Sequence, residues 1–127
     1  MDNKRNKGKI GEDIACKFIE NKGFKIIERN YLKKWGEIDI VAKKLNLIHF
    51  FEVKSITYNL SDNILNGHKP EDNVHGLKIK RIRRMIETYF EEEGRGVDSE
   101  FYFHILCVFM DTKTRKAQVK WIKNVIL

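Results

Sequence analysis

The sequence predicts a single α/β domain in which a mixed sheet carries a helix on each side. Three observations predict it. Periodicities run in the order helix, three strands, helix, strand, then a small addition. The segment Glu100–Met110 (EFYFHILCVFM) is apolar on both faces, which marks a central strand covered on both sides. The chain has one proline, no Ser- or Gly-rich linker and no internal repeat, and its 127 residues suit one domain.

Residues 8 to 22 place Ile10, Ile14, Phe18 and Ile19 on one helical stripe, and Gly23 stops the helix. Phe24–Tyr31 reads as a first strand, followed by a turn at Lys33–Gly36. In Glu37–Ala42 (EIDIVA), alternation sets Ile38 and Ile40 on one face and Glu37, Asp39 and Val41 on the other. Lys43–Asn46 turns the chain back into a third strand, Leu47–Lys54. Short connections make these three strands an antiparallel meander. Residues 55 to 76 have no convincing period and read as a polar loop around Pro70, a length usual for functional or disordered segments. Its His68 and His75 are seven apart, which suits no common metal motif. Leu77–Glu92 is a second helix, ended by Gly94 and Gly96. After strand Glu100–Met110, whose His104 reads as a satisfied or edge-facing histidine rather than a ligand, Ala117–Val125 forms a last short strand or tail.

Composition narrows the function classes. At 42% hydrophobic and 11% aromatic the chain is too apolar for intrinsic disorder. Its longest nearly apolar run, Phe101–Met110, is half of what a membrane helix needs. MDNKRNKGK at the N-terminus has no apolar core of a signal peptide, so a cytoplasmic location is expected. Cys16 and Cys107 lie far apart without CxxC or Cys/His spacing and read as reduced core thiols, not zinc ligands. Lys+Arg outnumber Asp+Glu by 25 to 18, for a net charge of +7 and a pI near 9.4, which favours a polyanionic partner.

An acid-any-Lys pattern occurs four times, as expected by chance at 34% charge. Context separates one instance: Glu52 and Lys54 sit at the end of an apolar strand, on one face with Ile48 and Phe50. Two charges therefore emerge there and need partners. A short hairpin can bring Asp39 beside Glu52. Two adjacent carboxylates repel unless a cation lies between them, and a hard divalent metal resolves the conflict. With a lysine to position or deprotonate water, this is equipment for phosphodiester hydrolysis. The same three residues also suit a solvent-facing ion-pair ladder, and spacing alone does not choose between the two.

Gly36–Ala42 (GEIDIVA) followed by Phe50–Lys54 (FFEVK) resembles the signature of the YraN-like family, small bacterial proteins to which endonuclease activity is ascribed. Gly8-x-x-Gly11-Glu12-Asp13-x-Ala15, Glu28-Arg29-Asn30-Tyr31 and Pro70-x-x-x-Val74-x-x-x-Lys78 with Arg81-Ile82 also resemble family segments, in the right order. The resemblance implies the PD-(D/E)XK superfamily, which includes Holliday junction resolvases, and a restriction-endonuclease-like αβββαβ core. Carried over, Asp39 and Glu52 match metal-binding acids, Lys54 the catalytic lysine, and Glu12 the acid of the first helix. The Val53 carbonyl would be a further metal ligand. The implied cofactor is Mg²⁺ or Mn²⁺, and the implied activity is endonucleolytic, on branched or processed DNA. Ser55 and Ile56 stand where the family usually has a polar or basic pair, and Ile79 where it often has glutamine.

Lys78, Lys80, Arg81, Arg83 and Arg84 give five cations in seven residues. Taking Ile79 as zero at 100° per residue, Ile86, Ile82, Tyr89 and Met85 span a buried arc. Lys80, Arg81 and Arg84 fall outside it, whereas Lys78 falls within it, at about 260°, and is expected to reach the Asp39/Glu52 cluster or a phosphate beside it. The outer trio is expected to add non-specific affinity for nucleic acid, DNA before RNA, through backbone and shape. Lys4, Arg5, Lys7 and Lys9 suggest a flexible basic arm over residues 1–7, and Trp35 is the best base-stacking candidate. The expected function is a metal-dependent endonuclease. The alternative is a nucleic-acid-binding protein that retains the fold with a weak or silent site. Analogy with the resolvases admits a homodimer.

Overall fold

The computed structural model describes residues 3–58, 76–96 and 99–127, with side chains for 8–58, 78–96 and 99–127. Helix α1 (Asn3–Asn21) leads into strands β1 (Lys25–Lys33), β2 (Gly36–Lys44) and β3 (Leu47–Tyr58). Helix α2 (Gly76–Glu92), β4 (Phe101–Asp111) and β5 (Ala117–Ile122) follow. The sheet order is β1-β2-β3-β4-β5, antiparallel except for the parallel β3–β4 pair. This is the expected meander, central strand and helix on each face. It is compatible with a restriction-endonuclease-like core.

Two apolar clusters hold the layers together. On one face α2 packs Ile82, Met85, Ile86 and Tyr89 against Val41, Ile48, Phe50 and Phe103. On the other, α1 packs Ala15, Cys16 and Ile19 against Ile40, Ala42, Phe51 and Leu106. Strand alternation thus feeds both cores, with 48 and 50 toward α2 and 51 toward α1. Both cysteines are buried and free of disulfides. Among the described residues no helix is long and apolar enough to cross a membrane.

The β2–β3 turn has positive φ at both central residues, Leu45 (50°) and Asn46 (66°), the handedness that matches the twist of a tight hairpin. It sets the register Lys44↔Leu47 through Ile40↔Phe51.

Three expectations are corrected. Residues 3–7 belong to α1 and are not a flexible arm. Lys and Arg are good helix formers and extend a helix that packing at Ala15 and Ile19 already anchors. Residues 55–58 belong to β3 and not to the loop, because β3 pairs with β4 from Ile48↔Phe101 to Tyr58↔Asp111. Gly76, the loop's expected end, opens α2, and residues 59–75, with His68, Pro70 and His75, lie outside the described residues. Finally, Ile38 does not share a core with Ile40: it joins the α2 cluster while Ile40 joins the α1 cluster. The recorded β2–β3 ladder ends at Ile40↔Phe51, and beyond it β2 heads toward α2, where Gly36 abuts Met85.

Candidate functional site

Asp39 directly precedes Ile40, whose pairing with Phe51 closes the β2–β3 ladder, and it lies close enough to Glu52 for the two charges to interact. Asp39 Oδ2 there accepts a hydrogen bond from the Val53 backbone N–H at 2.7 Å. The acid thus ties β2 to β3 beyond their last recorded pair. Burial pushes the Asp39 carboxyl up to about 8; the Val53 N–H works against this, while Glu37 and Glu52 add to it. Asp39 is therefore a carboxyl whose charged form lacks sufficient compensation.

Glu52 lies on the α2 face of β3. Its Oε1 is 2.6 Å from Lys78 Nζ and 3.8 Å from Lys54 Nζ. Its Oε2 is buried with no hydrogen-bond partner among the described residues. Burial depresses Lys54, and the neighbouring Lys78 adds to that effect against the pull of Glu52. Burial also opposes the charge of Lys78, but contacts with Glu52 and Lys54 outweigh it and raise its pKa. Two acids and two lysines, one of them from α2, therefore form one cluster of mutually interacting charges. Lys78 points inward, as the helical angles required, and is half-buried.

Glu12 stands apart from this group. It is on α1, next to Gly11, where an added Cβ would overlap Ser55 Oγ and lie 3.0 Å from Ser55 Cβ. That close approach seats α1 on the far end of β3. The Glu12 carboxylate is 3.5 Å from Arg29 Nη2, which also bonds Asp13 at 2.8 Å. Arg29 is level with Ile40, whose side chain belongs to the α1 core, so Glu12 is held on the α1 side of the sheet. Among the described residues no three His, Cys, Asp or Glu side chains converge as a metal site. A divalent ion here would draw on Asp39, Glu52 and the Val53 carbonyl. Glu52 Oε2, buried with no partner among the described residues, and the poorly compensated Asp39 fit that role, since both gain from an added cation.

Lys80, Arg81 and Arg84 lie on the exposed side of α2. With Lys34, Trp35 and Gly36 of the β1–β2 turn they line a cleft of about 610 Å³. The Arg84 guanidinium sits 4.1 Å from the Trp35 ring centroid, and Trp35 Nε1 is buried. The indole, the best base-stacking candidate in the sequence, therefore has a face covered by Arg84. Sequence reasoning missed Arg29 as the partner of Glu12 and Lys34 as a cleft cation. For Arg29 the sequence signals were a cation within the first strand and its place in the family-like segment Glu28–Tyr31.

Residues 11–108 match the family described as "Uncharacterised protein family UPF0102". A UPF0102 protein of Campylobacter lari is 37% identical over 115 residues, covering 91% of this chain and 88% of the relative. The chain belongs to the UPF0102 family. A UPF0102 protein of Caldicellulosiruptor saccharolyticus is 32% identical over 122 residues, 96% of this chain and 98% of the relative. One from Helicobacter hepaticus is 41% identical over 87 residues, 68% of this chain and 71% of the relative. UPF0102 is the YraN family, as the signature residues implied. The matched span covers α1 from Gly11, the two acids, Lys54, α2 and most of β4.

Proposed function

We propose that this UPF0102 protein is a metal-dependent endonuclease that hydrolyses phosphodiester bonds in nucleic acid, DNA before RNA. The observation that carries the reading is Glu52, with one carboxylate oxygen buried without a partner among the described residues, beside an Asp39 that burial disfavours as an anion. Such an arrangement is costly unless a cation completes it. Asp39, Glu52 and the Val53 carbonyl would hold Mg²⁺ or Mn²⁺, which when bound neutralises phosphate charge and acidifies water. Lys54, with its depressed pKa, is suited to orient a water and take up its proton. Lys78, kept charged, is suited to a phosphate oxygen once it leaves Glu52. Lys34, Lys80, Arg81 and Arg84 provide cations for the adjoining backbone.

The test is a cleavage panel of linear, single-stranded and branched DNA and RNA with Mg²⁺, Mn²⁺ or chelator. Metal-dependent products with wild type and none with Glu52→Gln are expected. Products that persist unchanged in Glu52→Gln would overturn the assignment. A second reading is favoured by one contact: Lys78 holds Glu52 Oε1 at 2.6 Å, where a metal would otherwise bind. On that reading the protein binds nucleic acid without cutting it. Unaltered binding by Glu52→Gln, with no cleavage in any arm, would establish it.

A further inference from the structure

On the opposite face of the sheet, beyond the C-terminal end of α1, lies a second cleft of about 280 Å³. Phe24, Lys44, His49, Tyr102, Trp121 and Lys123 supply its walls, and its lining contains two lysines and no carboxylate. Its volume is near the lower end of ligand pockets and suits a small ring system.

Its polar groups have a fixed order. The Asn124 backbone N–H donates to His104 Nδ1 at 3.1 Å, so that nitrogen bears a lone pair. A neutral His104 then carries its proton on Nε2. That N–H donates to His49 Nδ1 at 2.9 Å. A neutral His49 in turn carries its proton on Nε2. Burial keeps both rings neutral at pH 7: it holds His104 down to about 4, helped by His49 and Lys123, and lowers His49, helped by Lys44. The chain of bonds therefore fixes the wall histidine as a donor through Nε2. It also excludes a metal role for the pair, since the facing nitrogens are already used.

The aromatic surface is equally ordered. His49 and Tyr102 are level across the β3–β4 ladder, with rings 5.2 Å apart and inclined by 23°. His104 continues the array at 5.1 Å and 12° from His49. Tyr102 is 40% exposed, so ring surface remains open. Lys44 and Lys123 lie against Phe24 and Trp121, at 5.0 and 4.3 Å from the ring centroids. Lys44 Nζ also donates to the Lys22 carbonyl at 2.7 Å. Flat walls, a fixed donor and a positive rim with no carboxylate among the described lining residues suit a planar ring that bears acceptors and an anionic group.

We infer that the cleft between Phe24, His49, Tyr102 and Trp121 is a second binding site, for a nucleoside monophosphate. The ring lies against the aromatic wall, and Lys44 and Lys123 take the phosphate. The ligand is either a free mononucleotide or the phosphorylated terminal nucleotide of a single strand. The inference does not depend on phosphodiester cleavage, because none of these residues belongs to the Asp39/Glu52 group.

Trp121 reports on the site directly. The chain has two tryptophans, so in Trp35→Phe the fluorescence is that of Trp121 alone. Adenosine 5′-monophosphate is expected to change that fluorescence saturably, with adenosine and inorganic phosphate each about tenfold weaker or more. Lys123→Ala, an exposed change, and His49→Phe, which keeps the ring but removes the donor, should each weaken it by about tenfold. Circular dichroism checks that both variants fold, and the exposed Lys123→Ala keeps the test valid if His49→Phe does not. Glu52→Gln should bind as wild type does. A 5′-phosphorylated oligodeoxynucleotide that competes more strongly than the mononucleotide assigns the site to a strand end; weaker competition assigns it to the free nucleotide. The inference is overturned by no response to either probe, by equal binding of adenosine, by a response that Lys123→Ala leaves unchanged, or by one that Glu52→Gln abolishes.

Discussion

Lys78 Nζ meets Glu52 Oε1 at 2.6 Å, whereas Lys54, two residues from Glu52 on the same strand, stands 3.8 Å from that oxygen. The direct partner of the acid therefore comes from α2 and not from β3. Lys78→Ala should destabilise the metal-free protein by about 1–3 kcal/mol, because it strips a half-buried carboxylate of its short contact. Lys54→Ala should cost less. Urea unfolding of the two variants checks the order; equal midpoints would remove the distinction.

The same contact sets a competition. If a divalent ion takes Glu52 Oε1, Lys78 must release it. Lys78→Ala should therefore show a larger Mg²⁺-induced rise in melting temperature than wild type. It should also cleave more slowly, with turnover affected more than binding. A smaller thermal response in Lys78→Ala contradicts the competition.

Asp39 makes stability depend on pH. Between the ordinary carboxylate range and about 8, the folded chain keeps a proton on Asp39 that the unfolded chain has lost. The folded state then binds more protons, so stability falls as pH rises, by up to about 1.4 kcal/mol per pH unit for that proton. Asp39→Asn should flatten this slope in chelator and leave the protein more stable than wild type at pH 8. Denaturant midpoints at pH 5, 6.5 and 8 provide the measurement. A wild-type slope that Asp39→Asn does not alter would place the titration elsewhere.

Gly11 and Ser55 give a test of how α1 is seated. Gly11→Ala drives a methyl group into Ser55 and should cost about 1–3 kcal/mol as overpacking. Ser55→Gly removes the obstructing side chain and should restore most of the loss in the double variant. Additive losses in a double-mutant cycle would show that the two positions do not touch.

The outer cations predict a salt effect. Lys80→Ala should weaken binding to all nucleic-acid substrates alike and reduce the slope of log K against log salt by about 0.9 for each lost phosphate contact. A substrate-selective loss would assign Lys80 to sequence or shape reading instead.

What the sequence disclosed depended on how local its cause was. The inward turn of Lys78 was legible, because 100° per residue fixes it within one helix. The Asp39 and Glu52 juxtaposition was legible, because a short turn joins their strands. The far end of β3 was not: Ser55 and Thr57 look like loop residues, and their strand geometry comes from β4, a partner remote in sequence. Ile38 follows a perfect alternation in sequence, yet it joins the α2 core while Ile40 joins the α1 core. Glu12 sits at the margin of a helical stripe, but Arg29 on β1 decides where its charge goes. The His49–His104 pair, 55 residues apart, was hidden for the same reason.

Leu45 and Asn46 carry a consequence out of proportion to their exposed position. Their two left-handed residues set the count of positions between Asp39 and Glu52. Strand side chains change face at every residue, so a pairing slipped by one would move Asp39 away from Glu52 and expose the Ile40 face. One residue inserted between them should therefore abolish the site while leaving every site residue in place. The chemistry of the acids is governed in part by arithmetic performed at a hairpin tip, and a change in turn length there is a more severe mutation than most substitutions of the turn residues themselves.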